Sequence, residues 1–178
     1  MIQVLRDKYT FLIPEKLKRQ PGMVYSGDME DRANYTAGNL LDCYTESING
    51  YLSEHSFSSI VIIAASEGTV LLPLIYERMN NKDAVKALVS IGFGGVSLYE
   101  SYSVLSQLPN VSPEDRNMYQ YFVEKYHPDL SDHWDSYAEF VYGVTYRWFN
   151  SFKDIRPFEY YKNIDIPFRL FTTVWRPE

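Results

Sequence analysis

The stretch that decides the fold is Ser59-Ile60-Val61-Ile62-Ile63-Ala64-Ala65-Ser66-Glu67-Gly68-Thr69-Val70-Leu71-Leu72, whose character changes at Ser66. Ser59 to Ala65 is an unbroken, mostly β-branched apolar run. Such a run suits a parallel strand buried on both faces better than an alternating edge strand. Gly68 to Met79 is apolar around most of a helical wheel and predicts a buried helix, bent or loosened at Pro73. Val85 to Gly92 is a second buried strand by the same reading. Strand, turn, helix, strand is a βαβ unit with parallel strands. The chain is therefore expected to be α/β, a mostly parallel sheet with flanking helices.

Outward from this unit the pattern is less regular. Upstream, Thr36 is a candidate N-cap, and Leu40, Leu41, Tyr44, Ile48, Tyr51 and Leu52 recur on one helical face. Glu15 to Tyr35 is polar, contains Pro21, Gly22 and Gly27, and reads as a loop. Tyr9 to Ile13 is a short β-prone run stopped by Pro14, and Ile2 to Lys8 reads as the end of a helix. Downstream, ten of the sixteen tyrosines lie between Ser97 and Tyr161, with Trp134, Trp148 and several phenylalanines. Ser112-Pro113-Glu114-Asp115 is a helix start, and Asp135 to Phe149 carries a second helical pattern. Residues 97–162 are expected to form a helical insertion in a core made of 1–96 and 163–178. Ile164-Asp165-Ile166-Pro167 leads into a final strand over Phe168 to Val174.

Composition sets wider limits. The chain has 178 residues, 46% of them hydrophobic and 22% charged, which suits one globular domain. Its formal net charge of -6 argues against nucleic-acid or anionic-membrane partners, which need a cationic face. Lys16-Leu17-Lys18-Arg19 is the one basic cluster and reads as a solvated loop. The single cysteine, Cys43, allows no internal disulfide and no cysteine-rich metal site. No apolar run reaches membrane-spanning length and Met1 precedes no signal-like core, so the expected location is cytoplasmic. Asn34-Tyr35-Thr36 and Asn110-Val111-Ser112 match the glycosylation triplet but read as helix starts.

The chemistry concentrates at Ala64-Ala65-Ser66-Glu67-Gly68. This is the small-x-Ser-x-Gly form of a nucleophile elbow, with Ala64 where glycine is commoner. A sharp strand-to-helix turn holds the serine in strained backbone geometry and requires small residues two before and two after it. The helix N-terminus then aims N–H groups at a developing oxyanion, and the Glu67 N–H is the natural donor. The Glu67 side chain is assigned no role. The alternative is that Ser66 merely caps a helix. Gly92-Phe93-Gly94-Gly95 lacks dinucleotide spacing and a phosphate-loop lysine, so it reads as a turn at the strand's C-terminal edge, and no cofactor is expected.

With these features, residues 9–170 resemble the α/β-hydrolase superfamily, particularly its serine esterase, lipase and peptidase-like members. Tyr9 to Lys16 resembles a strand before the helix beside the elbow strand. Val85 to Gly95 resembles the strand after the elbow helix. The aromatic insertion sits where that family places a lid, and Ile164 to Pro167 resembles the lead into the strand that delivers the triad acid. The resemblance implies an ester, thioester or amide hydrolase working through an acyl-enzyme on Ser66, with an apolar or aromatic small-molecule substrate.

The same resemblance implies an acid and then a histidine after Phe168–Val174, and neither follows. By this pattern the chain is truncated at both ends. His55 reads as a loop residue. His127 and His133, near Asp129, Asp132 and Asp135, read as exposed or loop-capping rather than as a base or a metal site. Glu178 is a poor triad acid because it is terminal. The second reading is thus a non-catalytic or truncated α/β-hydrolase-like domain, able to form homo-oligomers through open sheet edges. A nucleotide-binding domain is a weaker third.

Overall fold

The computed structural model describes residues 8–14, 29–92, 95–125, 136, 140–141 and 144–171. Among the described residues two helices, α1 (Met29–Asn34) and α2 (Ala37–Glu54), precede the first strand, β1 (Ile60–Ala65). Then come α3 (Glu67–Arg78), a single 3-10 turn at Lys82–Ala84 and β2 (Val85–Ile91). The segment expected to be a helical insertion supplies α4 (Leu98–Leu105), α5 (Pro113–Lys125), the short strands β3 (Phe140–Val141) and β4 (Val144–Thr145), α6 (Tyr146–Phe152) and α7 (Pro157–Tyr161). The strand β5 (Phe168–Phe171) closes the described chain.

The βαβ unit forms as its sequence requires. β1 pairs in parallel with β2, and β2 in parallel with β5, giving a three-stranded sheet in the order β1-β2-β5. A bulge between Ile60 and Val61 sets the register, after which Ile62 lies opposite Leu88 and Ala64 opposite Ser90. The chain is therefore α/β, with a parallel sheet and packed helices. Helix starts follow their caps. The Thr36 hydroxyl accepts from the Asn39 N–H at 3.3 Å, and the Ser112 hydroxyl from the Asp115 N–H at 3.1 Å. Pro73 sits inside α3 without ending it.

Several expectations need correction. Tyr9 to Ile13 is no strand; it is exposed and outside the sheet. The polar stretch before Tyr35 contains α1. Asp135 to Phe149 is not one helix, because a two-stranded antiparallel ladder, β3 with β4, comes before α6. Val144 and Thr145 are β-branched, and the Thr145 hydroxyl accepts from the Trp148 N–H at 3.1 Å, so helix begins only at Tyr146. Residues 2–7, the cluster at 16–19 and the tail at 172–178 lie outside the described residues.

The largest correction concerns the sheet. β1 alternates in burial rather than being buried throughout. Ile62 and Ala64 face the helices, whereas Val61 and Ile63 on the opposite face are 53% and 63% exposed. Ile91 and Phe171, in register with that face, are also exposed. Among the described residues the helices cover one face only, so half of an apolar run meets solvent.

Most buried apolar residues among those described form one cluster. Leu40 and Leu41 of α2, Val70, Leu71, Leu72 and Ile75 of α3, and Val85 and Leu88 of β2 meet Leu98, Phe122, Trp148, Phe149 and Phe152. Phe122 and Phe149 stack with centroids 6.0 Å apart, and Tyr102 lies 5.1 Å from Phe122. Burial, with a smaller contribution from Tyr119, pushes the Tyr102 hydroxyl up to about 12. The aromatic segment thus shares the core of the βαβ unit.

The two sheet faces should respond oppositely to substitution. Leu88→Ala on the covered face should cost about 2–5 kcal/mol, and Ile63→Thr on the exposed face less than about 0.5 kcal/mol. Urea denaturation of the two variants measures both.

Candidate functional site

The site sits at the C-terminal edge of the sheet, where β1 becomes α3. Ser66 is the single residue between them and has φ 51°, ψ -125°, the only positive φ at a non-glycine among the described residues. Its N–H still donates to the Ile91 carbonyl at 3.0 Å, continuing the β1–β2 ladder. Its carbonyl already accepts from the Thr69 N–H at 2.9 Å and from the Thr69 hydroxyl at 2.6 Å, opening the helix. Serving both ladders forces the left-handed backbone.

The capping alternative does not fit this geometry. An N-cap residue has extended backbone and a side chain that bonds an early helical N–H. Ser66 has neither, since its hydroxyl makes no cap bond. It is exposed at the sheet edge. The structure does not make glycine a strict requirement at position 68. A Cβ on Gly68 would lie 3.7 Å from that of Ala64, an ordinary contact, so alanine fits there. Gly92, with φ +91°, turns the chain away after β2; a Cβ there would lie 4.0 Å from the Ser66 N–H nitrogen.

Glu67 does more than its sequence position suggested. Its N–H belongs to the first turn of α3, beside Ser66, where helix N–H groups point outward. Its half-buried carboxylate accepts from the Tyr35 hydroxyl at 2.9 and 3.1 Å and from Trp148 Nε1 at 2.8 Å. One acidic side chain therefore ties the elbow to the start of α2 and to α6. Nearby, the Ala37 N–H donates to the Ser151 hydroxyl at 2.9 Å, fixing the same two helices together. No local signal marks this clamp, because its partners are 32 and 81 residues away in the chain.

The segment after Gly92 is braced by a capping box. The Ser97 N–H donates to Glu100 Oε2 at 3.0 Å, and the Glu100 N–H to the Ser97 hydroxyl at 3.2 Å. Arg156 joins Glu100 at 2.6 Å. The Ser97 N–H chiefly holds the Glu100 carboxyl below its usual range, against a smaller opposing effect of burial and with help from Arg156.

His55 does not lie here. His55 follows α2 and precedes β1, so it belongs to the opposite edge of the sheet, roughly 20 Å of strand away from Ser66. Its Nδ1 lies 3.0 Å from the Tyr51 carbonyl and its ring stacks on Tyr51. His127, His133 and Glu178 lie outside the described residues. Among the described residues no group of three His, Cys, Asp or Glu side chains could hold a metal. No helix among them is long and apolar enough to cross a membrane.

No protein-family model matches this chain, and neither a characterised protein nor a solved structure matches it significantly.

Two outcomes follow from the elbow and its brace. Ser66→Gly should raise stability by about 1 kcal/mol by relieving the positive φ, while Ser66→Ala keeps the strain and should stay within about 0.5 kcal/mol of the parent. Paired urea curves distinguish the two. Because the Glu100 pKa is lowered in the fold, its contribution is present above the unfolded carboxylate range and fades as pH falls through the folded value. Glu100→Gln should therefore lower the thermal midpoint near pH 7 and leave it unchanged near pH 2, as calorimetry across that range would record.

Proposed function

We propose that this chain is an α/β-hydrolase-type serine hydrolase, acting on an ester, thioester or amide through an acyl-enzyme on Ser66. The observation that carries the reading is the backbone of Ser66, φ 51° and ψ -125°, between a parallel strand and a helix, with its hydroxyl not engaged in capping. A strained turn at that position presents a serine hydroxyl above the sheet edge.

In the reaction, Ser66 Oγ attacks the substrate carbonyl carbon and its proton passes to a general base. The carbonyl oxygen gains negative charge, and the Glu67 N–H at the start of α3 stabilises it. The base then gives that proton to the departing alcohol, thiol or amine, leaving an acyl group on Ser66, and water attacks this ester to release a carboxylic acid and restore the Ser66 hydroxyl. The Tyr35 and Trp148 bonds to the Glu67 carboxylate hold that residue's backbone in place. The substrate is a small neutral molecule, since the aromatic residues near the edge offer apolar contact with hydroxyl groups at intervals.

One observation favours a second reading, a non-catalytic domain of the same kind. The only histidine among the described residues is His55, at the wrong edge of the sheet for a general base. In that reading β1 and β5, the outer strands of the sheet among the described residues, serve self-association.

Labelling with a fluorophosphonate separates the two. The first reading expects one adduct, mapped to the peptide carrying Ser66 and lost in Ser66→Ala. A folded sample that takes up no label establishes the second.

A further inference from the structure

One turn along α3 from Ser66, between that helix, α7 and the ends of β2 and β5, lies a cavity of about 40 Å³. Its wall is almost wholly carbon and carries no charged side chain; Pro157, Phe158, Phe168 and Leu170 are among the residues that line it. The hydroxyls around it are engaged with one another or with the backbone. Thr69 donates to the Ser66 carbonyl at 2.6 Å. The Tyr161 oxygen is buried and has Ser90 as its neighbour. Stacking of the Tyr161 ring on Phe168, centroids 3.8 Å apart, keeps the phenol in that place.

This wall selects what can enter. Water needs two to four polar partners, and almost no polar surface faces the space. A carboxylate or an ammonium would lose its hydration with no opposite charge to offset the loss. A short run of carbon atoms meets neither obstacle. At roughly 10–15 Å³ for each water-sized group, the space takes about three of them. Phe158 and Leu170 line the cavity and are also 57% and 42% exposed, so it opens to solvent beside them through an apolar rim. The Phe158 N–H donates to the Gly95 carbonyl at 2.8 Å, which ties that side of the mouth to the turn after β2.

We propose that this cavity is an acyl subsite: it takes the last two or three carbons of an unbranched acyl chain held on Ser66, and so sets the chain length that the protein accepts. The proposal rests on the reading of Ser66 as nucleophile for the ester itself. Thr69 both lines the cavity and bonds the Ser66 carbonyl, so the wall begins about 5 Å, one helical turn, from the nucleophile. At about 1.2 Å for each chain bond, an acetyl group falls short of the cavity and an acyl group of about four to six carbons enters it. The acyl chain is the part assigned here because it stays bonded to Ser66 through both steps, whereas the alcohol leaves.

Para-nitrophenyl acetate, butanoate, hexanoate and decanoate share a leaving group and differ only in the chain. Their kcat/KM should rise to butanoate or hexanoate, by about fourfold for each methylene buried, and fall again at decanoate. Leu170→Trp, at the exposed rim, should lower the hexanoate-to-acetate ratio at least about tenfold, and Phe158→Ala should move the optimum to a longer chain. Xenon reads the cavity without any reaction. The parent and Ser66→Ala should both show saturable xenon shifts at the Thr69, Ser90 and Gly95 amides in two-dimensional NMR, and Leu170→Trp should show none. A flat chain-length profile, or one that Leu170→Trp leaves unchanged, would overturn the subsite. So would a folded parent that binds no xenon saturably. Xenon bound with no ester turned over would instead overturn the nucleophile reading, and the acyl assignment with it.

Discussion

At Ser66 a strand and a helix share one residue, and the positions of the neighbouring elements follow from how that residue bonds. Its N–H remains in the β1–β2 ladder through Ile91, and its carbonyl opens α3 through Thr69. With no spare residue for a loop, the direction of α3 is fixed relative to the sheet. The apolar residues Val70, Leu71, Leu72 and Ile75 then fall where α2, β2 and α6 can bury them. The φ of 51° is the local strain that this compact turn imposes.

The helices after β2 are bound to the same arrangement rather than added beside it. Phe122, Phe149 and Phe152 complete the cluster that α3 begins, so the aromatic segment packs mainly as core. Only its last part, Pro157, Phe158 and Tyr161, reaches the cavity near the elbow. Glu67 adds a polar tie at the rim of this core. Its carboxylate is half-buried, yet Tyr35 and Trp148 supply donors that compensate for lost water. An acid beside a candidate nucleophile thereby holds two helices in position at the sheet edge.

The sheet itself is asymmetric. Ile62, Ala64, Leu88 and Ser90 face packed helices, while Val61, Ile63, Ile91 and Phe171 face solvent among the described residues. Parallel sheets ordinarily have both faces covered, because exposing an apolar face forfeits much of the energy that holds the strands together. This asymmetry concentrates the stability of the fold on the α3 side. That is also the side on which the cavity and the Glu67 clamp are built.

The βαβ order, the parallel pairing, the Thr36 and Ser112 caps and the turn at Ser66 were all determined by local sequence. Each rests on interactions within a few residues, such as β-branching along Ile60–Ile63, or on the crossover that parallel strands require. Tyr9 to Ile13 had the composition of a strand but found no pairing partner, since β-propensity needs a neighbouring strand to act on. The break between β4 and α6 depended on pairing across a hairpin, which helical periodicity from Asp135 to Phe149 hid. The Glu67 clamp and the meeting of Tyr161 with Ser90 join residues 32 to 81 positions apart. Sequence alone thus determined where the chain turns and which residue holds the turn. Only the tertiary structure decided which side of the sheet is covered and what surrounds Ser66, because burial depends on which distant segments pack there.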